Sequence, residues 1–308
     1  MTHIRPAPVS PPALRVLVIG GILLATAFCF VLIKAGLAYA PPFLFAALRL
    51  GLAGLALVML LPLLGQPLLP ARRDWAWLLL LALASAAFAY GAMFSSPGLA
   101  GAGLAAVLGN VQPLIVAGLA SFLLKERFTP AKRWALVLGF VGVSGMALPA
   151  LAAPGGLGLP GAGLALASSL GFAVGSVVIK RLEPPHLFTL IAWQLLLGSL
   201  PLFAGWLLWE GGAAPRSSLE FVGLLLVLAL AGTAFVTAGW YWLLQGSDLG
   251  RLSQVFFLVP AVGLGLAVVL YGERVTLVQG LGLVLIAGGL RVQALEPRPM
   301  DRIPRGDP

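Results

Sequence analysis

Between Leu14 and Leu295 the sequence is a succession of apolar runs, each about as long as a lipid bilayer is thick and separated by short polar breaks. A bilayer core about 30 Å thick takes roughly 20 apolar residues per spanning helix. The runs fall at about Leu14–Ile33, Phe43–Leu64, Trp75–Phe94, Leu99–Leu124 and Trp134–Ala150. A Gly- and Pro-rich uncharged stretch follows, and then Ala162–Ile179, Leu187–Trp209, Phe221–Leu244, Leu252–Tyr271 and Leu277–Leu295. They lack two-residue alternation and exceed the length of a membrane-barrel strand, so each is predicted to be a helix that satisfies its own backbone hydrogen bonds. The expected fold is an all-α polytopic membrane protein with ten transmembrane helices, its main partner the lipid bilayer.

Composition agrees. Of the 308 residues 9% are charged, against about a quarter in a soluble domain, and mean hydropathy is +1.03. A net charge of +9 would suit nucleic acid, but the basic residues flank apolar runs and form no patch, so no nucleic-acid partner is expected. One cysteine, Cys29, and two histidines, His3 and His186, exclude a disulfide framework and argue against a metal centre. Ser168 and Ser169 have no visible base, and no nucleophile–base pair falls at mid-membrane. Neither catalysis nor a cofactor is expected. The first apolar run is too long for a cleaved signal core and reads as a retained helix.

Charge placement sets an orientation. With a cytoplasmic N-terminus and alternating helices, 15 of the 19 basic residues fall inside, with Lys34, Arg216 and Arg274 outside and Arg49 within a helix. That is the bias of the positive-inside rule. Both termini are therefore expected in the cytoplasm. The Arg-, Ala- and Gly-rich composition suggests a bacterial inner membrane.

The chain also repeats itself. A shift of 147 positions brings Pro113 onto Pro260, Gly118-Leu119-Ala120 onto Gly265-Leu266-Ala267, Glu126-Arg127 onto Glu273-Arg274 and Thr129 onto Thr276. Gly142 falls on Gly289 and Gly103 on Gly250. A proline, a Glu-Arg pair and a threonine at one offset mark a true duplication. The expected organisation is a tail (1–13), a five-helix repeat (14–150), a linker (151–161), a second repeat (162–295) and a second tail (296–308). Five is odd, so equivalent helices must cross in opposite directions. Such inverted repeats place a substrate near the midplane and open to alternate sides by rocking.

Pro41-Pro42 followed by Arg49, the stretch Ala192-Trp193-Gln194-Leu195-Leu196-Leu197-Gly198 and the two Pro…Glu-Arg helix ends make the chain resemble EamA-type members of the drug/metabolite transporter superfamily. The resemblance implies an exporter or permease of amino acids or other small metabolites. It also implies that helices 1, 3, 4, 6, 8 and 9 surround a central cavity.

Candidate residues follow from polarity inside apolar runs. Asn110 and Gln254 are amides in hydrocarbon, which need a partner helix or a wet cavity. Tyr90 and Thr237 are equivalent at the 147 shift, as are Met93 and Trp240, and Tyr90, Thr237 and Trp240 are cavity candidates beside Asn110 and Gln254. The alternative for such aromatics is the interfacial belt. Pro113 and Pro260 should kink helices 4 and 9. Glu126, Arg127, Glu273 and Arg274 close those helices as anchors or as latches on opposite faces. Arg49 lies about 10 Å into helix 2 at 1.5 Å per residue, with no carboxylate in an apolar run to pair with it. Snorkelling outward or bonding helix-end carbonyls is expected, with an anionic substrate group as the alternative for Arg49 and Lys34. Gly171 and Gly175 permit close helix packing, within the chain or in a homodimer. No embedded carboxylate is present, which favours facilitated or weakly coupled transport.

Overall fold

The computed structural model describes residues 11–100, 108, 111–151, 159–216, 218–245, 247–271 and 275–295. These form helices, with no strand among the described residues. In chain order we label them α1 (Pro12–Gly36), α2 (Pro42–Leu60), α3 (Trp75–Ala100), α4 (from Gln112 to Leu123), α5 (Pro130–Leu151), α6 (Leu159–Leu182), α7 (Leu187–Trp209), α8 (Leu219–Leu244), α9 (Leu249–Tyr271) and α10 (Leu277–Ala294). All but α4 and α5 contain a described stretch long and apolar enough to cross a membrane.

The polar breaks start and stop these helices by ordinary capping chemistry. Pro12 and Pro42 occupy first-turn positions, where a missing N–H leaves nothing unpaired. Ser218 accepts from the N–H of Phe221, Asp248 from that of Arg251 and Thr276 from that of Gln279. Thr129 accepts from the N–H of Lys132 at 3.3 Å, as its repeat counterpart Thr276 does from Gln279 at 3.3 Å. The same cap therefore starts α5 and α10.

Two boundaries differ from the sequence expectation. α3 does not end at Phe94 but runs to Ala100. The Ser-Pro-Gly break is absorbed because Ser96 donates to the Gly161 carbonyl at 2.8 Å, which makes it a helix contact. α6 begins at Leu159, not Ala162, with Pro160 in its first turn.

Helix packing shows that the halves are inverted. A Cβ on Gly142 would lie 2.6 Å from the Gly282 carbonyl oxygen, and one on Gly289 would lie 3.0 Å from that of Ala135. The 147 shift converts one pair into the other, because 142 becomes 289 and 135 becomes 282. α5 and α10 therefore cross antiparallel about a pseudo-two-fold axis. The α2–α7 pair does the same at a shift of 145. Gly54 meets the Leu196 backbone and Gly51 meets Ser199. Small residues let these backbones touch where side chains would hold them apart.

α3 and α8 are interrupted at matching places. A π-helical turn spans Ala82–Phe88 in α3 and Leu230–Phe235 in α8. Such turns loosen the backbone ladder and are frequent at functional sites. α9 changes to a 3-10 turn over Gln254–Leu258 and becomes α-helical again at Val259-Pro260. α4 likewise starts at the equivalent Gln112-Pro113 after a turn at Val111. In α9 the change of ladder falls immediately before Pro260, where the missing N–H removes an i→i−4 bond.

Candidate functional site

Within the membrane span the polar side chains meet where the two π-turns face the opposite repeat. Arg49 of α2 is 2% exposed. Its Nε donates to Thr233 Oγ1 at 2.5 Å and its Nη2 to the Gly232 carbonyl at 2.9 Å, both in the π-turn of α8. Nη2 also lies 3.4 Å from Cys29 Sγ on α1. Thr233 in turn donates to the Leu228 carbonyl at 3.0 Å, five residues back, which fits the widened turn. The guanidinium lies 5.4 Å from the Tyr90 ring centroid and 5.7 Å from that of Phe94, distances at which a cation is attracted by the ring face. Arg49 therefore neither snorkels nor bonds a helix end. Its partners are a mid-helix carbonyl and a hydroxyl, which the π-turn makes available.

The other repeat has a neutral version of this contact. Gln194 of α7 occupies the position of Arg49 at the 145 shift. Its Nε2 donates to Ser85 Oγ at 2.7 Å, in the π-turn of α3. Ser85 is the counterpart of Gly232 at the 147 shift, and it donates back to the Leu81 carbonyl at 3.2 Å. Each interrupted helix is thus held by a polar side chain from the opposite repeat. α6 closes on the same turn, since a Cβ on Gly171 would lie 2.6 Å from the Ala84 carbonyl oxygen and one on Gly175 2.5 Å from Ser85 Cβ. The G-x-x-x-G step is therefore used inside the chain.

Tyr90 and Thr237, the cavity candidates, are brought together. The Tyr90 hydroxyl approaches Thr237 and Thr233. As repeat counterparts, Tyr90 and Thr237 lie on either side of the pseudo-two-fold axis. Trp240 is also buried, donates its Nε1–H to Ser176 Oγ at 3.0 Å and stacks edge-on against Phe256 at 4.8 Å. It lines a narrow apolar crevice between α1, α8 and α9, with Ile19, Leu23, Leu252 and Phe256. The crevice offers only about 10 Å³ to a water-sized centre, too little for an organic substrate. Gln254 faces elsewhere, with Nε2 3.5 Å from the Lys132 carbonyl. Asn110, Glu273 and Arg274 lie outside the described residues, as does the side chain of Lys34.

A second polar cluster joins the repeats at the end of the bundle where α4 finishes and α9 starts. Lys125 adopts a left-handed conformation (φ 55) and ends α4, with the Glu126 N–H reaching back to the Ala120 carbonyl at 3.2 Å. That turn directs Glu126 across the seam, where it accepts from the N–H groups of Leu249 at 2.8 Å and Gly250 at 3.0 Å. Lys132 Nζ lies 2.6 Å from Asp248 and 3.6 Å from Glu126. Burial pushes the Glu126 carboxyl above the usual range, and its hydrogen bond with Asp248 pushes it further. Burial acts upward on Asp248 too, but sharing with Glu126 and the Lys132 ammonium outweigh it, so Asp248 lies below the usual range. Arg127 is exposed. At the opposite end Glu210 of the second repeat accepts from the N–H groups of Phe43 and Leu44 at the start of α2, at 2.8 and 3.2 Å.

Ser85, Thr233, Lys132, Asp248 and Glu210 were not sequence candidates, and Gln194 entered only as part of a motif. The 145 shift between helices 2 and 7 pairs Arg49 with Gln194 and would have exposed that pair. Ser85 and Thr233 pass as small polar residues inside apolar helices, and Lys132, Asp248 and Glu210 as cap or helix-end residues, until the halves are brought together.

Comparison with known proteins agrees with this duplication. Over 200 residues the chain is 30% identical to a "Probable amino-acid metabolite efflux pump" of Salmonella typhimurium, covering 62% of this chain and 67% of that one. A protein of the same description from Escherichia coli matches at 30% over 200 residues, with the same two coverages. An uncharacterized transporter from Synechocystis matches at 30% over 228 residues and 68% of each chain. A crystal structure 21% identical in sequence superposes with a TM-score of 0.76 over 92% of this chain and 98% of its own, a likeness of fold alone. The model of the EamA-like transporter family matches residues 14–148 and again 159–293. With each half of the chain matching it separately, and the two halves packed as inverted copies, this protein belongs to the EamA-like transporter family.

Proposed function

We propose that the protein exports small organic metabolites, amino acids foremost, by rocking one five-helix repeat against the other. The observation that carries this reading is the antiparallel packing of two repeats, each of which matches the EamA-like transporter family separately. Carriers built from inverted repeats hold their substrate near the midplane between the halves, and Tyr90 and Thr237 are the groups proposed to face it there. The π-turns on either side supply loosened backbone at which α3 and α8 can bend. The two relatives described as probable amino-acid metabolite efflux pumps support the substrate class.

The end carrying Glu126, Lys132 and Asp248 is the cytoplasmic one in this reading, as the 15-to-3 charge bias requires, and the membrane is the bacterial inner membrane. The bonds from Glu126 to α9 close that side. They must break before substrate enters from the cytoplasm.

Expression in a strain sensitive to amino-acid analogues, followed by uptake of a labelled amino-acid panel into inverted vesicles, tests the proposal. Substrate-dependent flux above that of empty vesicles is expected. A purified, folded protein that moves no member of the panel in either direction would refute it.

A further inference from the structure

We infer that Arg49 is the anchor for a carboxylate group on the transported molecule, with Thr26 as its second donor. The inference rests on the transport reading above and adds the charge of the cargo.

Arg49 is buried in the membrane span, and among the described residues no carboxylate pairs with it. A cation in hydrocarbon without a counter-ion is functional by default. Its neighbours leave it incompletely bonded. Nε and Nη2 serve Thr233, Gly232 and Cys29, while Nη1 is buried without a hydrogen-bond partner. The hydroxyl of Thr26 is likewise buried and unpartnered. Thr26 stands three residues before Cys29, on the same face of α1, and Cys29 is in contact with Arg49. A carboxylate has two oxygens that accept from a guanidinium and a hydroxyl, and it brings the missing negative charge.

The symmetric position sharpens the assignment. Gln194 leaves an acceptor, Oε1, unpaired instead. Among the described residues the positive charge of the polar centre therefore belongs to Arg49, and an anionic group is drawn to the α2 side of the axis. The rings of Tyr90 and Phe94 flank the guanidinium, so an aromatic acid makes a suitable probe. Arg49, Tyr90 and Phe94 are buried, as is the Thr26 hydroxyl, and a ligand reaches them when the halves part.

The test uses purified full-length protein and three probes: L-phenylalanine, its carboxamide, and 3-phenylpropanoate, which keeps the acid and lacks the amine. Flux into proteoliposomes and thermal stabilisation in detergent are both measured. Wild type should prefer the two acids over the amide by about 10- to 100-fold, the range of a charge-assisted hydrogen bond. Arg49→Gln should reduce that preference to within about 3-fold, and Arg49→Lys should restore part of it. Thr26→Val should weaken acid binding a few-fold, about one lost hydrogen bond, without lowering the melting temperature. Should Arg49→Gln not fold, Arg49→Lys and Thr26→Val decide the matter. Equal handling of acid and amide by wild type overturns the anchor and leaves transport standing, as does a Gln variant that keeps the preference. Carboxylate-specific stabilisation that needs Arg49, seen without any flux, supports the anchor and removes the transport reading. If neither acid gives flux or stabilisation, the anchor is overturned.

Discussion

Lys132 and Arg49 are both basic and both buried, yet the first touches two carboxylates and the second touches none. The Lys132 side chain is 7% exposed, between Asp248 at 2.6 Å and Glu126 at 3.6 Å. Arg49 has a hydroxyl, a carbonyl, a thiol and two ring faces instead. Both cations cross the seam between the repeats. A compensated buried charge holds two surfaces together, because removing one partner strands the other. An uncompensated one contributes little to holding and leaves its attraction for something that arrives. On the proposed reading, closure resides at the end of the bundle and recognition at its middle.

The largest effect expected from this contrast is that of Lys132→Met. It leaves Glu126 and Asp248 facing each other half-buried, and breaking such a cluster costs about 3 kcal/mol. A thermal melt in detergent should fall by several degrees. A loss below about 0.5 kcal/mol, the range of a neutral surface change, would mean that the cluster does not close the seam in solution.

Acidity should act next, and on the same cluster. Glu126 has a raised folded-state pKa, so its contribution to stability is present below the ordinary carboxylate value and is lost as pH rises through the raised one. Asp248 is lowered, so its contribution is present above the ordinary value and is lost as pH falls through the lowered one. Stability should peak near the ordinary carboxylate values, falling on the acid side toward the lowered value of Asp248 and on the alkaline side toward the raised value of Glu126. Glu126→Gln should flatten the alkaline side of that peak and Asp248→Asn the acid side. A wild-type profile flat across both arms contradicts these assignments.

Arg49→Met should cost no more than about 1 kcal/mol, because the lost hydrogen bonds are offset by release of an unpaired charge from a low-dielectric site. Its flux should nevertheless collapse. If it melts as early as Lys132→Met, Arg49 is a brace and the contrast between the two cations disappears. The smallest change should be Cys29→Ala. The thiol makes only long contacts, 3.4 Å to Arg49 and 3.8 Å to the Gly232 carbonyl, worth about 0.5 kcal/mol. Unchanged flux in this cysteine-free protein would confirm that Cys29 only lines the Arg49 site.

The apolar runs and the inversion were legible because bilayer thickness and an odd repeat leave little freedom. Tyr90 and Thr237 were legible as counterparts because the 147 shift aligns them. The Ser-Pro-Gly break after Phe94 misled, since a hydrogen bond to Gly161 absorbs it. Pro113 and Pro260 were expected to kink their helices, and in α9 the ladder changes to a 3-10 turn directly before Pro260, the place where its missing N–H acts. Lys132 passed as a topology charge and Asp248 as a loop residue, because their partners stand 116 positions apart in the chain.

By itself the sequence determined that this chain must live in a membrane, that it is doubled, and that its copies point opposite ways. Those properties follow from solvent and length, which act on every residue alike. Only the tertiary structure decided that Arg49 bonds a π-turn and does not snorkel, and that Glu126 caps a helix of the other repeat. Which donor meets which acceptor depends on packing between segments more than a hundred residues apart, and no local pattern encodes that distance.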